Sequence, residues 1–573
     1  MATILLPWVL AVWLVTLTAA TQLSTYQNPV LPGWHSDPSC VFVKEWDETF
    51  FCTTSSFLTF PGAPVYASKD LIHWKHISNA YNRRDDIPEM LTSTSGQQEG
   101  LYAATLRFHR GKMYLVTLYI SLTQAKLQFL LWTTTNPFDN AAWEGPVAIP
   151  NPTFKIDPDL FWDGDDLYIA SSGLFLQQVD LQSGTSTEPV SLWNGTGGAN
   201  VEGPHLYKKD GWYYLLAAEG GTETNHSVTM ARSRNIWGPY ESAPNNPLFT
   251  NRGTTEYFQT VGHADLFQDR VGNWWGVALA TRSGPDWAVY PMGREMVLFP
   301  VEWSSGDFPI MEPVRGHMVG PLLSPSLRVP GDGQWADAGD TNLPDGKGKI
   351  PSHFVHWRPP PNRDEIYRVV SDKHHQHQEF LLKASIANLT GTASYKPTDG
   401  QTFLARKQAH TGFIFSIDVD TGVLTNADHE TGLSVFLTSY QHIDLSIIML
   451  GNHGRQPAVH VQLRIESLGK PDFNISDPVI QLPLPRAWNG KRVTLLVEGN
   501  ETRYDFYASL SPSSKQNGNV QFLGTVSAEA VSGGSGPFSG TLLGAFATTN
   551  GGSDTFDSRV SRWKYTPISQ KVE

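Results

Sequence analysis

A single hairpin pattern recurs five times and restricts the chain more than any other feature. A short polar opening leads into an apolar strand, a Gly/Asp turn and a second strand rich in aromatics. The copies are GWHSDPSCVFVKEWDETFF, LYAATLRFHRGKMYLVTLYI, KIDPDLFWDGDDLYIA, VEGPHLYKKDGWYYLLAAEGG and VGHADLFQDRVGNWWGVALATR. The polar position holds Asp37, Asp157, Glu202 and His263 in four of them, and Ala103-Ala104 in the remaining one. The second strand brings Phe50-Phe51, Met113-Tyr114, Leu167-Tyr168, Trp212-Tyr213 and Trp274-Trp275. Self-similar hairpins at an interval of roughly 45–65 residues mark a radial repeat fold. In a five-bladed β-propeller the starts of the innermost strands face one central channel. The polar residues, distant in sequence, are therefore predicted to converge there.

The repeats occupy residues 21–323 only. At 573 residues the chain exceeds one ordinary core, so a second domain is expected. Residues 324–350 are rich in Gly, Pro and Asp without a period and read as a surface linker. From 351 to 573 alternation returns. Val459, Val461, Leu463 and Ile465 interleave with His460, Gln462 and Arg464, and Val493, Leu495 and Val497 repeat the pattern. Period two over several segments predicts a β-sandwich, and the whole chain reads as all-β. Trp74, Trp143 and Trp237, each after a strand and polar turn, are expected to pack between blades. A content of 40% apolar and 17% charged residues excludes a disordered chain. A net charge of −13, with no basic stripe, argues against nucleic acid or an anionic membrane as partner.

Residues 1–20, MATILLPWVLAVWLVTLTAA, read as a signal peptide cleaved after Ala20, so the protein is expected to be secreted and extracellular. The run Ile4–Leu17 is short for a spanning helix; a retained single-span anchor is the competing reading. Five glycosylation sequons, at Asn194, Asn225, Asn388, Asn474 and Asn500, accord with a secretory route. The two cysteines, Cys40 and Cys52, fall opposite each other in one predicted hairpin. A cross-strand disulfide and two buried thiols are both compatible with that placement.

Asp37 and Asp157 both precede proline, where aspartate commonly starts a turn. Their recurrence at equivalent hairpins, with Glu202 at a third, favours chemistry instead. Like charges gathered in one channel repel and raise at least one pKa. Glycoside hydrolysis uses that arrangement: one protonated carboxyl donates to the leaving oxygen and an ionised one activates water. A third acid beside the donor orients it. His263 reads either as a hydrogen-bonded core residue or as a group holding a water or cation in the channel floor, and no metal is assigned.

The stretches NPVLPGWHSDPSC, KIDPDLFWDGDDLYIASSG, VEGPHLYKKDGWYYLLAAEGG, FQTVGHADLFQDRVGNWWGVALATR and PMGREMVLFPVEW resemble glycoside hydrolase family 43. That resemblance implies a five-bladed propeller and an inverting β-xylosidase or α-L-arabinofuranosidase. By motif, Asp37 corresponds to the general base, Glu202 to the general acid, and Asp157 to the residue tuning that acid. Arg294 resembles the arginine that binds the terminal sugar, and His263 the central histidine, which the family sometimes links to calcium or water. No cofactor is required. Where many members carry Trp-Ala-Pro in the second blade, this chain has Leu101-Tyr102-Ala103-Ala104, leaving Tyr102 as the stacking surface. ANLTG, TFLARKQAHTGFIFSIDVD and PFSGTLLGAFATTNGG resemble the concanavalin A-like sandwich of family β-xylosidases, which implies a pocket-closing loop with Phe538. The resulting expectation is an exo-hydrolase releasing terminal β-1,4-linked xylose from plant cell-wall oligosaccharides. The alternatives are an α-L-arabinofuranosidase, a non-catalytic carbohydrate-binding protein, and an enzyme acting on arabinan or galactan.

Overall fold

The computed structural model describes residues 23–344, 348–372, 377–391, 396–452, 455–511 and 520–573. The expected signal peptide, 1–20, lies outside the described residues. Among the described residues no helix is long and apolar enough to cross a membrane.

Five antiparallel sheets surround a channel, each beginning at its innermost strand. These first strands are Ser39–Val43, Gly100–His109, Asp159–Asp163, Glu202–Lys209 and Phe258–Gln268. Apolar residues between blades form the packing layers, and Trp74 and Trp143 are buried there as expected. Trp143 donates its Nε1 to Ser78 Oγ of the preceding blade at 3.0 Å. Trp237 is partly exposed and meets the edge of Tyr168 from the third blade. The ring closes on the N-terminal segment: Asn28 exchanges side-chain hydrogen bonds with the backbone of Leu298, at 3.0 and 2.9 Å, in the fifth blade. Cys40 and Cys52 face each other across the first two strands of the first blade and are joined as a disulfide.

Below the channel mouth, every blade supplies at least one polar group to a buried hub. Arg107 of the second blade lies 2.8 Å from Asp159 of the third and 2.9 Å from Asp265 of the fifth. Ser39 of the first blade donates to Asp265 at 2.7 Å, and Tyr207 of the fourth donates to it at 2.9 Å. Burial pushes the Asp265 carboxyl up, but the Arg107 and His205 charges and these hydrogen bonds outweigh it and hold it at about 2. Arg107, with His205 beside it, thus compensates two buried carboxylates.

The second domain packs an eight-stranded antiparallel sheet on a six-stranded one. Alternation behaves as predicted: Val493, Leu495 and Val497 are fully buried while their neighbours are half-exposed. Each such buried side chain contributes about 1.5–3 kcal/mol. The segment read as a linker is not all surface connector. Asp340–Leu343 is a strand that pairs with Asp557–Ser569, and buried Asp340 accepts from Arg406 at 2.9 Å and from Trp563 at 3.1 Å. A four-residue strand with a single apolar residue, inside a Gly/Pro-rich stretch, leaves no periodicity to read. At the other end, Arg282 of the fifth blade donates to Gln570 and to the carbonyl of Lys571, so the tail returns to the propeller.

The domains meet backbone to backbone. A Cβ on Gly293 would lie 2.2 Å from the Ser539 carbonyl oxygen, and one on Gly540 would lie 2.2 Å from that of Met292. Only glycine permits this approach.

Candidate active site

At the channel mouth, one residue of each blade has a left-handed backbone: Asp37 (φ 52°), Ala103 (43°), Asp157 (57°), Gly203 (55°) and His263 (50°). Each is followed by Pro or Ala, then by Ser39, Thr105, Asp159, His205 or Asp265. In blades two, four and five the same site interrupts strand pairing as a bulge. Bulges re-aim side chains and recur beside active sites. The equivalence expected from sequence is therefore corrected at two points. Glu202 stands one residue before the position shared by Asp37 and Asp157, which Gly203 occupies. His263 lies within its strand rather than at its start. The extra strand residues before His263, Phe258–Gly262, mix polar and apolar side chains and carry no mark of where pairing breaks.

Gly203 eases the packing where it stands, since a Cβ there would come within 3.1 Å of the His263 ring. Its backbone N–H donates to Asp157 Oδ2 at 3.0 Å. The fourth-blade bulge thereby links Asp157 to the residue adjoining Glu202.

Asp37 is buried and firmly held. Ser55 Oγ donates to its Oδ2 at 2.5 Å, Arg294 donates to Oδ1 at 3.2 Å, and His263 Nδ1 stands 3.7 Å from Oδ1. Burial pushes its carboxyl up, but Arg294, His263 and the Ser55 hydrogen bond prevail and hold it below the usual carboxylate range. Glu202 differs. Burial, then the charges of Asp157 and Asp37, push it up to about 8. Asp157 is also raised, by burial above all. Two carboxyls in one cluster are thus divided at neutral pH into an ionised Asp37 and a protonated Glu202.

Arg294 spans the site. Besides Asp37, it donates to Thr222 Oγ1 at 3.0 Å and to the Phe538 carbonyl at 3.2 Å, with the Phe538 ring 5.1 Å from its guanidinium. Phe538 comes from the second domain. Its ring stacks toward Phe57 at 6.3 Å and meets Tyr102 edge-on at 6.4 Å. Gln98 holds the arriving loop by accepting from the Phe538 N–H at 3.3 Å. All seven side chains singled out in the sequence are thus brought to one region. Ser55, Thr222, Gln98 and Phe57 join them without sequence warning, because none lies at a repeated position. Among the described residues no three His, Cys, Asp or Glu side chains are placed to hold a metal ion.

Residues 26–309 match the family model Glycosyl hydrolases family 43, and 368–566 match the Beta xylosidase C-terminal Concanavalin A-like domain. A non-reducing end α-L-arabinofuranosidase of Bacteroides ovatus is 31% identical over 565 residues, covering 95% of each chain. The chain belongs to glycoside hydrolase family 43. A xylosidase/arabinosidase of Humicola insolens is 28% identical over 566 residues, covering 94% of this chain and 97% of its own. The solved structure of the Bacteroides ovatus xyloglucan PUL GH43B superposes with a TM-score of 0.80 at 28% identity, covering 95% of this chain and 100% of that one. This family 43 chain is accordingly a hydrolase of the xylosidase/arabinofuranosidase kind, on a propeller with a concanavalin A-like sandwich.

Proposed function

We propose that the enzyme is an inverting exo-glycosidase that releases one terminal pentose, β-1,4-linked xylose or α-L-arabinofuranose, from xylan-type oligosaccharides. The observation carrying this reading is one buried cluster in which Ser55 and Arg294 hold Asp37 as the ionised group while burial beside Asp157 favours a protonated Glu202. Water attacks the anomeric carbon and passes its proton to Asp37. Glu202 protonates the departing oxygen on the opposite side. Asp157 favours the protonated form of Glu202 by its charge. Arg294, anchored between Asp37 and the Phe538 carbonyl, presents donors to the sugar hydroxyls. The aromatic walls Phe57, Tyr102 and Phe538 support exo action by closing one side of the site.

Arabinofuranose is retained beside xylose because the Bacteroides ovatus relative, alike over 95% of both chains, is named for it. We further infer secretion, which the disulfide and the exposed sequon residues Asn194, Asn225 and Asn474 support.

Steady-state rates on 4-nitrophenyl β-xyloside, 4-nitrophenyl α-arabinofuranoside and xylobiose test the substrate. Proton NMR of the first-formed product tests the stereochemistry. The expected result is single pentose release with inverted anomeric configuration. A retained anomer, or internal cleavage of long chains, overturns the reading.

A further inference from the structure

A second polar cavity, of about 60 Å³, lies between the first blade and the sandwich strand Phe403–Lys407. It has room for a guest larger than one water. Its lining includes His35, Tyr66, His76, His353, Arg406 and Lys407, and no Asp or Glu. Most of these groups are already engaged. His35 bonds to the Tyr66 hydroxyl at 2.9 Å, and Arg406 and His353 both hold Asp340, at 2.9 and 3.1 Å. Lys407 is different. Its Nζ is shielded from solvent and has no hydrogen-bond partner among the described residues. Its nearest compensation is the Trp34 ring, 5.5 Å away. Trp34 Nε1 is likewise buried without a partner among the described residues.

A buried ammonium that no carboxylate faces is costly, and it stabilises any anion that reaches it. Donors without acceptors are what remain when such a guest is left out of the count. We propose that this cavity binds a small monovalent anion of halide size, held by Lys407 Nζ and bridging the sandwich to the segment that carries Asp37. Burial alone pushes the Lys407 ammonium down to about 7, which accords with a charge lacking its counter-ion. The position explains the consequence. Lys407 precedes Gln408, whose carbonyl oxygen would lie 2.4 Å from a Cβ on Gly33, four residues before Asp37. The sandwich backbone next to Lys407 is thus packed directly against the segment that leads to Asp37.

Two measurements on the full chain test the site independently of the glycosidase reading. Crystals soaked in sodium bromide are expected to show anomalous density within hydrogen-bonding reach of Lys407 Nζ. Melting in sodium bromide is expected to rise by about 2–4 °C over sodium gluconate of equal ionic strength, saturating as one site. Lys407→Met should abolish both signals. Water alone at Lys407, equal melting in the two salts, or an unchanged bromide response in Lys407→Met overturns the proposal. If Lys407→Met does not fold, the bromide map and salt comparison of the wild type decide.

Discussion

A glutamine at position 202 keeps the shape of the side chain and removes its proton. Glu202→Gln is expected to lower kcat on xylobiose by about 10²–10⁴-fold, the usual range for a lost general acid. The loss should be smaller on nitrophenyl glycosides, whose leaving group needs little protonation. In the wild type the protonated acid is required, so kcat/KM should fall as pH rises through about 8. With Asp37 as the proposed base, the acid limb should lie below the ordinary carboxylate range. Ser55→Ala removes one hydrogen bond to the ionised form, so the acid limb should move to higher pH. An unmoved limb would mean Ser55 only packs. Replacing Glu202 should move stability and activity in opposite senses. Glu202 ionises near 4.5 when unfolded and near 8 when folded, so its contribution to stability is lost as pH rises between those values. Glu202→Gln escapes that loss and should be the more stable protein at pH 7, by on the order of 1–3 kcal/mol in denaturant melts. The sequence displayed the three acids plainly through their recurrence. It did not display Ser55 or Thr222, because a hydroxyl that orients a neighbour has no spacing of its own.

Among the elements, the bulged first strands decide which side chain enters the channel. Four of the five left-handed positions hold a residue with a Cβ, a conformation that costs of order 1–3 kcal/mol unless the surroundings fix it. The fourth blade uses Gly203 instead, and Gly203→Ala should strain the backbone and press on His263. The expected outcome is a melting temperature lowered together with kcat, whereas Ala103→Gly should leave kcat unchanged. Equal behaviour of the two would remove the bulge from the account. The hub beneath them is tested by Arg107→Met, which leaves Asp159 and Asp265 buried without their cation. A loss of about 3–5 kcal/mol is expected in chemical denaturation. Hairpin order and turn positions were readable because period-two alternation and Gly/Asp turns are local signals. The one-residue offset of Glu202 was not, since a bulge depends on the partner strand.

Across the whole molecule, the sandwich completes a site that the propeller begins. Phe538→Ala should leave folding intact and lower kcat/KM by roughly tenfold, through loss of ring contacts worth about 0.5–1.5 kcal/mol and of the area they bury. An unchanged kcat/KM would show that the ring serves only to pack against Phe57. The two-domain division was legible from the switch in pattern, while the partnership between domains was not. Asp340, Lys407 and Phe538 gain their meaning from contacts hundreds of residues away. The glycine pair Gly293 and Gly540 adds a kinetic consequence. Main chains in direct contact leave no slack for a hinge, so the aromatic roof is a fixture. Ligands should therefore enter an already shaped socket, with association traces that follow one exponential and no slow isomerisation after encounter.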